Sequence, residues 1–181
     1  MLRILKELCL SKKAASIYTN YNTPTKFYYG VVLAVNDEEI AIYMISTDGK
    51  DDGIVAQSID DVIRVELDGL YEEKMRKLCS INPPIDFDVT LDNNNIIKSL
   101  LDLALETKKI VSIELVDSGY DDVVGFVDEI DNGRCKIKVI DEYGYEDGYS
   151  YFLIKDVTQV SYATETEKRI LNLWDISDKS L

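Results

Sequence analysis

The chain has 181 residues, of which 46% are apolar, and a formal net charge of −14. These values predict a soluble, folded protein with enough residues for two modest cores, and no apolar run is long enough to cross a membrane. Three widely spaced cysteines and no histidine argue against a zinc site and against histidine-based acid–base chemistry. We therefore expect reduced cysteines, a cytoplasmic location, no metal and no cofactor.

The negative charge is concentrated in the second half of the chain. Residues 1–80 carry 10 basic and 13 acidic side chains, a net charge of −3, whereas residues 81–181 carry 10 and 21, a net charge of −11. A surface of this kind repels phosphate, so RNA binding is disfavoured. The acidic excess either keeps the protein in solution or attracts a basic partner.

The first elements predicted are a helix and five short strands. Leu5 and Leu8 lie on one face of a helix over residues 2–10. A second helix, which carries Met75 and Leu78 on its apolar face, ends this half. Runs of β-branched and apolar residues between turn residues predict the strands at 15–20, 27–35, 40–45, 54–58 and 63–67.

The same series of elements is predicted again after a linker over residues 81–90, which Pro83-Pro84 stiffens. Asp92–Asn95 favour the start of a helix, and a capping box, Thr164-x-x-Glu167, begins the last one. The strands of this half are predicted at 111–116, 123–130, 135–140, 149–153 and 158–162.

The two halves also match each other residue by residue. At a shift of 95 residues, Gly30 to Cys79 aligns without a gap on Gly125 to Trp174, and 13 of the 50 aligned positions are identical. An internal repeat of this length predicts one structural unit made twice. The predicted domains are residues 1–80 and 91–181.

Glycines recur at equivalent places in both halves. Gly30 and Gly125 fall inside the long second strand, where a glycine indicates a sharp bend or a close backbone approach. Glycine-rich turns are expected over 48–53 and 143–148. The predicted fold is mainly β with flanking helices (α+β): two five-stranded, strongly bent antiparallel small barrels, each with an N-terminal and a C-terminal helix.

This order of elements resembles the Sm/LSm superfamily of SH3-like small β-barrels. The second half carries the resemblance in Val111-x-Ile113-x-Leu115, Gly125-x-Val127, Asp131-Asn132 and Ile154-x-Asp156-Val157-x-x-Val160. The resemblance implies modules that join through edge strands four and five into rings and bind single-stranded RNA through loops. Asp60-Asp61 and Lys155-Asp156 stand where that family usually presents Arg-Gly, which disfavours RNA binding here.

Aromatic residues crowd the fourth strand of the second half and the turn before it. Exposed tyrosines beside lysines either stack on bases or anchor a protein interface, and the alternative is that the tyrosines pack inside the fold. The candidate interaction surface is Tyr143, Tyr145, Tyr149, Tyr151, Lys136 and Lys138. Asp48, Asp51 and Asp52 faintly resemble a calcium loop, but their strand-like flanks favour a solvated turn.

The sequence contains no motif for a catalytic site, so we expect a non-enzymatic interaction or assembly module whose partner is a protein or another copy of the chain. Two alternatives stay open. One is an RNA-binding Sm-like protein of narrowed specificity. The other is an acidic, immunity-type binder of a basic protein.

Overall fold

A computed structural model describes residues 1–19, 25–81, 89–116 and 122–178. Residues 20–24, 82–88, 117–121 and 179–181, which include the linker prolines Pro83 and Pro84, lie outside this part of the chain. The described residues are mainly β, with four helices, and the strands within each unit pair antiparallel. The chain divides into two compact units, Met1–Ile96 and Ile97–Leu181.

The described part of unit 1 contains two helices and five strands, and the strands hydrogen-bond in the order β5-β1-β2-β3-β4. A single 3-10 turn, Ile59–Asp61, connects β4 to β5. The bounds are α1 Leu2–Ser11, β1 Ala15–Tyr18, β2 Tyr28–Val35, β3 Glu39–Ile45, β4 Asp51–Ser58, β5 Arg64–Glu66 and α2 Leu70–Ile81.

Unit 2 follows the same sequence of elements, and its strands hydrogen-bond in the order β10-β6-β7-β8-β9. Its first helix begins at Ile96, the last residue of unit 1 in the division of the chain. The bounds are α3 Ile96–Thr107, β6 Ile110–Leu115, β7 Val123–Asp131, β8 Arg134–Ile140, β9 Glu146–Leu153, β10 Val157–Tyr162 and α4 Glu165–Asp178.

These elements confirm a mainly β, antiparallel fold with flanking helices. Within each unit, the pairing among the described residues leaves the fourth and fifth strands at opposite ends of the order, so it does not close into a ring. Closure into two barrels therefore stays a prediction.

The core of unit 1 lies between α1 and the sheet. Leu5 and Leu8 of α1 are buried against Ile17 of β1, Val32 of β2 and Ile42 of β3. Six of the seven β3 residues are buried, so both faces of this strand are covered. The amphipathic spacing of α1 thus has the role that the sequence predicts.

The core of unit 2 uses alternate residues of β8. Cys135 and Ile137 are buried, whereas Lys136 between them and Lys138 after them are only partly buried, the alternation typical of a strand with one face in the core. On another part of the sheet, Ile110, Ile140 and Ile170 form a small cluster with Phe126 and Trp174 packed against it. One face of the β8–β9 hairpin is therefore left outside the core.

Strand registers recur in the two units at the same shift as the sequence. Gly30 lies opposite Met44, and Gly125 lies opposite Val139. Tyr43 lies opposite Ile54, and Lys138 lies opposite Tyr149. Each residue of these unit 1 pairs corresponds to the unit 2 residue 95 positions later in the chain. Residues that align in sequence therefore also occupy the same place in the strand pairing.

The expected glycine turns extend less far than the sequence predicts. β4 and β9 begin at Asp51 and Glu146, so the turn predictions are wrong over 51–53 and 146–148, and Gly53 and Gly148 lie inside the strands. Both glycines have positive φ, +73° and +79°, and both occur where two residues of one strand oppose one residue of the other. Each is a β-bulge of the kind that glycine permits.

Each C-terminal helix begins with a buried carboxylate that also reaches the first strand of its unit. Glu167 accepts the Thr164 N–H at 2.8 Å, which confirms the predicted capping box, and it accepts the Ser112 hydroxyl at 2.5 Å. In unit 1, Glu72 accepts the Gly69 N–H at 2.9 Å and the Ser16 hydroxyl. The helix cap thus fixes the helix to the sheet.

Cys135 behaves as a core residue, and its reactivity gives a testable expectation. Its side chain is 1% exposed, and burial raises the pKa of the thiol to about 12. In a Cys9→Ser/Cys79→Ser variant, we expect a thiol reagent to label Cys135 only as fast as the protein unfolds, because the thiolate is the reactive form. Labelling of the native protein at the rate of an exposed thiol would contradict this.

The same pKa sets the sign of a pH effect. Because the thiol ionises in the unfolded chain at about 8.5, the unfolded state loses its proton first as the pH rises. The stabilisation from a neutral, buried Cys135 is therefore complete below about pH 8.5 and is lost as the pH approaches about 12.

Candidate functional site

The candidate surface lies on the β8–β9 hairpin of unit 2. Lys136 pairs with Tyr151, and Lys138 pairs with Tyr149, in the antiparallel register of the two strands. Directly opposed residues in such a pair point to the same face of the sheet. The structure therefore brings four of the six predicted residues together on one face.

The two strand tyrosines are open to solvent. Tyr149 is 47% exposed and Tyr151 is 71% exposed, so these two side chains do not pack inside the fold. Tyr143 and Tyr145, in the turn before β9, are 66% and 60% exposed. Large aromatic side chains placed together on a surface are typical of contact sites.

The turn that carries Tyr143 and Tyr145 is held by a carboxylate as well as by backbone hydrogen bonds. Asp141 Oδ1 accepts the N–H groups of Tyr143 at 3.0 Å and of Tyr145 at 2.8 Å. Gly144, between them, lies against the backbone of Leu173 in α4, where an added Cβ would come within 2.6 Å. The turn is therefore fixed on both sides, while its two aromatic side chains extend into solvent.

The two lysines are ion-paired with acidic side chains. Lys136 Nζ lies 2.5 Å from Asp128 Oδ2 and 4.2 Å from the centre of the Tyr149 ring. The hydrogen bond with Asp128 raises the pKa of Lys136. Lys138 Nζ lies 3.5 Å from Glu146 Oε2. The positive charge of this face is thus largely compensated by its own neighbours.

Two further residues, which the sequence pattern did not single out, extend the surface. Arg134 pairs with Leu153, which is 38% exposed, in the next position of the same register. Arg134 is ion-paired with Asp131 at 3.6 Å. Strand periodicity was the available signal, since Arg134 and Leu153 each lie two residues from a member of the predicted set.

The equivalent face of unit 1 is very different in character. At the positions that match Lys136, Lys138, Tyr149 and Tyr151, unit 1 has apolar or aromatic residues that are all buried. They are Ala41, Tyr43, Ile54 and Ala56, none more than 8% exposed. The open aromatic face is therefore a property of unit 2, although the two units share strand order and register.

The end of the strand order adds an open edge to this face. Within the described residues of unit 2, β9 is the last strand of the order, and β8 is its hydrogen-bonded neighbour. Proline and lysine, which often protect an edge strand, do not occur in the β9 sequence EDGYSYFL. The acidic residues and the Gly148 bulge lie at the start of β9, so the aromatic stretch over 149–153 is the part of this edge that can pair with another polypeptide segment.

Comparison with protein-family models, with curated proteins and with solved structures found no match. Among the described residues, no helix has both the length and the apolar character that a membrane span needs. In the same residues, no group of three or more acidic, cysteine or histidine side chains is placed to hold a metal ion. Asp48, from the weakly calcium-like turn, instead contacts Lys50 at 2.6 Å.

Proposed function

We propose that the chain is a non-enzymatic interaction module built from two Sm-like barrels, and that it binds protein through the β8–β9 hairpin. The observation that carries this proposal is the open edge of β9 together with its exposed tyrosines. Edge pairing supplies main-chain hydrogen bonds, and exposed aromatic side chains supply contact area.

The duplicated barrel is supported by the internal order of each unit. Both units have a helix, four strands, a 3-10 turn, a fifth strand and a closing helix, and the strands follow the order 5-1-2-3-4. The glycine of each second strand lies so close to the third strand that an added Cβ would overlap a carbonyl oxygen. Such an approach favours a strongly bent sheet, as a small barrel requires.

A role in RNA binding receives less support from the same surface. The tyrosines would suit base stacking, but phosphate would have to displace Asp128 and Glu146 from the lysines. Residues 128–153 contain seven acidic and three basic side chains, a net charge of −4. This field repels a polyanion and favours a protein partner.

Removal of the two strand tyrosines tests the proposal. We expect a Tyr149→Thr/Tyr151→Thr variant to fold normally, because threonine suits strands and both side chains are exposed. The same variant should lose self-association or partner binding. Light scattering over a wide range of protein concentration, compared with the monomer mass of 20.6 kDa, measures self-association.

The control removes an exposed apolar side chain of unit 2 elsewhere. Ile176 is 66% exposed on α4, and an Ile176→Thr variant should associate like the unmodified protein. Cross-linking of the three proteins in a source lysate, followed by mass spectrometry, measures partner binding. The proposal is wrong if the unmodified protein is strictly monomeric and its cross-linked partners are unchanged in the tyrosine variant.

A further inference from the structure

We propose that the occupant of the β9 edge is an extended protein segment rich in arginine or lysine. This inference rests on the proposed function, because it names the partner of the same surface. Three features of the hairpin support it: its charge, its exposed aromatic rings and the state of its own cations.

The charge around the open edge is negative. Asp141, Glu142, Glu146 and Asp147 surround Tyr143 and Tyr145 in the turn, and the stretch 141–153 contains no basic residue. The side chains of Glu142 and Asp147 are exposed. A cationic segment that lies along β9 therefore approaches a surface of opposite charge, which steers association and favours it over neutral or acidic segments.

The exposed rings add a second recognition element for cations. Lys136 Nζ already lies 4.2 Å from the centre of the Tyr149 ring, which shows that this face accommodates a cation against an aromatic ring. Tyr151, two residues further along β9, is 71% exposed. An arginine of an added strand would find an aromatic face and carboxylates in one place.

The cations of the hairpin do not oppose such a partner. Lys136, Lys138 and Arg134 are ion-paired with Asp128, Glu146 and Asp131. Their charge is thus compensated within the hairpin, and the remaining carboxylates determine the field at the edge. Because β-strand side chains alternate, a segment with a cation at every second residue would direct these cations to one face.

The test measures peptide binding by fluorescence anisotropy. The probe is a labelled eight-residue peptide of alternating Arg and Thr, which matches the eight residues of β9. We expect it to bind at least about tenfold more tightly than the Glu-Thr peptide of the same length, with an affinity that falls as salt rises. A backbone N-methylated Arg-Thr peptide should bind more weakly, because it lacks strand hydrogen bonds.

Two pairs of variants locate the binding. Tyr149→Thr/Tyr151→Thr should weaken binding of the Arg-Thr peptide by about tenfold. Glu142→Gln/Asp147→Asn should also weaken binding of this peptide. The control, Glu106→Gln/Asp175→Asn, makes the same change in charge at exposed positions elsewhere in unit 2 and should leave binding unchanged. Equal effects of the two charge pairs would show attraction to net charge alone and would overturn the inference.

The outcomes also separate this inference from the proposed function. If association still depends on Tyr149 and Tyr151 but the Arg-Thr peptide binds no better than the Glu-Thr peptide, the edge is an interface for a partner of other chemistry and the inference is wrong. Tighter binding of a single-stranded oligouridine than of the Arg-Thr peptide would overturn both in favour of RNA.

Discussion

Alanine at Gly30 or Gly125 is expected to destabilise its unit by about 3 kcal/mol. A Cβ built on Gly30 would lie 1.9 Å from the carbonyl oxygen of Tyr43, and one on Gly125 would lie 2.0 Å from that of Lys138. These atoms belong to the backbone of the neighbouring strand, so no side-chain rotation relieves the overlap. The two strands would have to separate, and the bend of the sheet would be lost.

Denaturant unfolding measures the loss of stability that each alanine substitution causes in its unit. Trp174 is the only tryptophan of the chain and lies in unit 2, so its fluorescence follows that unit, whereas circular dichroism follows both. Gly125→Ala should shift the fluorescence transition strongly, to lower denaturant concentration. Gly133→Ala is the matched control: nothing lies within 4 Å of its added Cβ, and its φ of +76° costs about 1 kcal/mol. An equal loss of stability in Gly125→Ala and Gly133→Ala would contradict the close approach of Gly125 to the backbone of β8.

The second large effect is expected at the buried carboxylates. Glu72→Ala should cost about 3 kcal/mol, because the Ser16 hydroxyl and the Gly69 N–H both lose their acceptor. Ser16 is 1% exposed, so water does not replace the missing acceptor without a structural change. Glu167→Ala should have a similar effect through Ser112 and Thr164.

Glu73→Ala is the control on the same helix. Glu73 is exposed and ion-paired with Lys77 at 2.8 Å, an i, i+4 pair worth about 0.5 kcal/mol. Thermal unfolding should therefore show a large loss for Glu72→Ala and a small one for Glu73→Ala. Equal losses of stability would mean that Glu72 contributes only helix propensity and that its hydrogen bond to Ser16 of β1 does not stabilise the fold.

Local sequence patterns predicted most secondary-structure elements, because each element has its own periodicity or turn residues. Alternation in β8 and the capping box at Thr164 are examples in which neighbouring residues are sufficient. The bond between Ser16 and Glu72 was not predictable in this way. The two residues are 56 positions apart, and nothing in either local pattern indicates the other.

The candidate surface was predicted in composition but not in its electrostatics. Alternate residues on a strand share a face, so Tyr149 and Tyr151 could be placed together from sequence alone. The pairing of Lys136 with Asp128 could not, because Asp128 is the extra residue of a bulge between Val127 and Glu129. A bulge interrupts the alternation on which such predictions depend.

The duplication of one strand arrangement is most directly tested by nuclear Overhauser contacts between strand residues in solution. We predict that the cross-strand contacts of unit 1, such as Gly30 with Met44 and Ile17 with Val65, recur in unit 2 between Gly125 and Val139 and between Ile113 and Val160. A unit 2 whose strands pair in a different order or register would contradict the account.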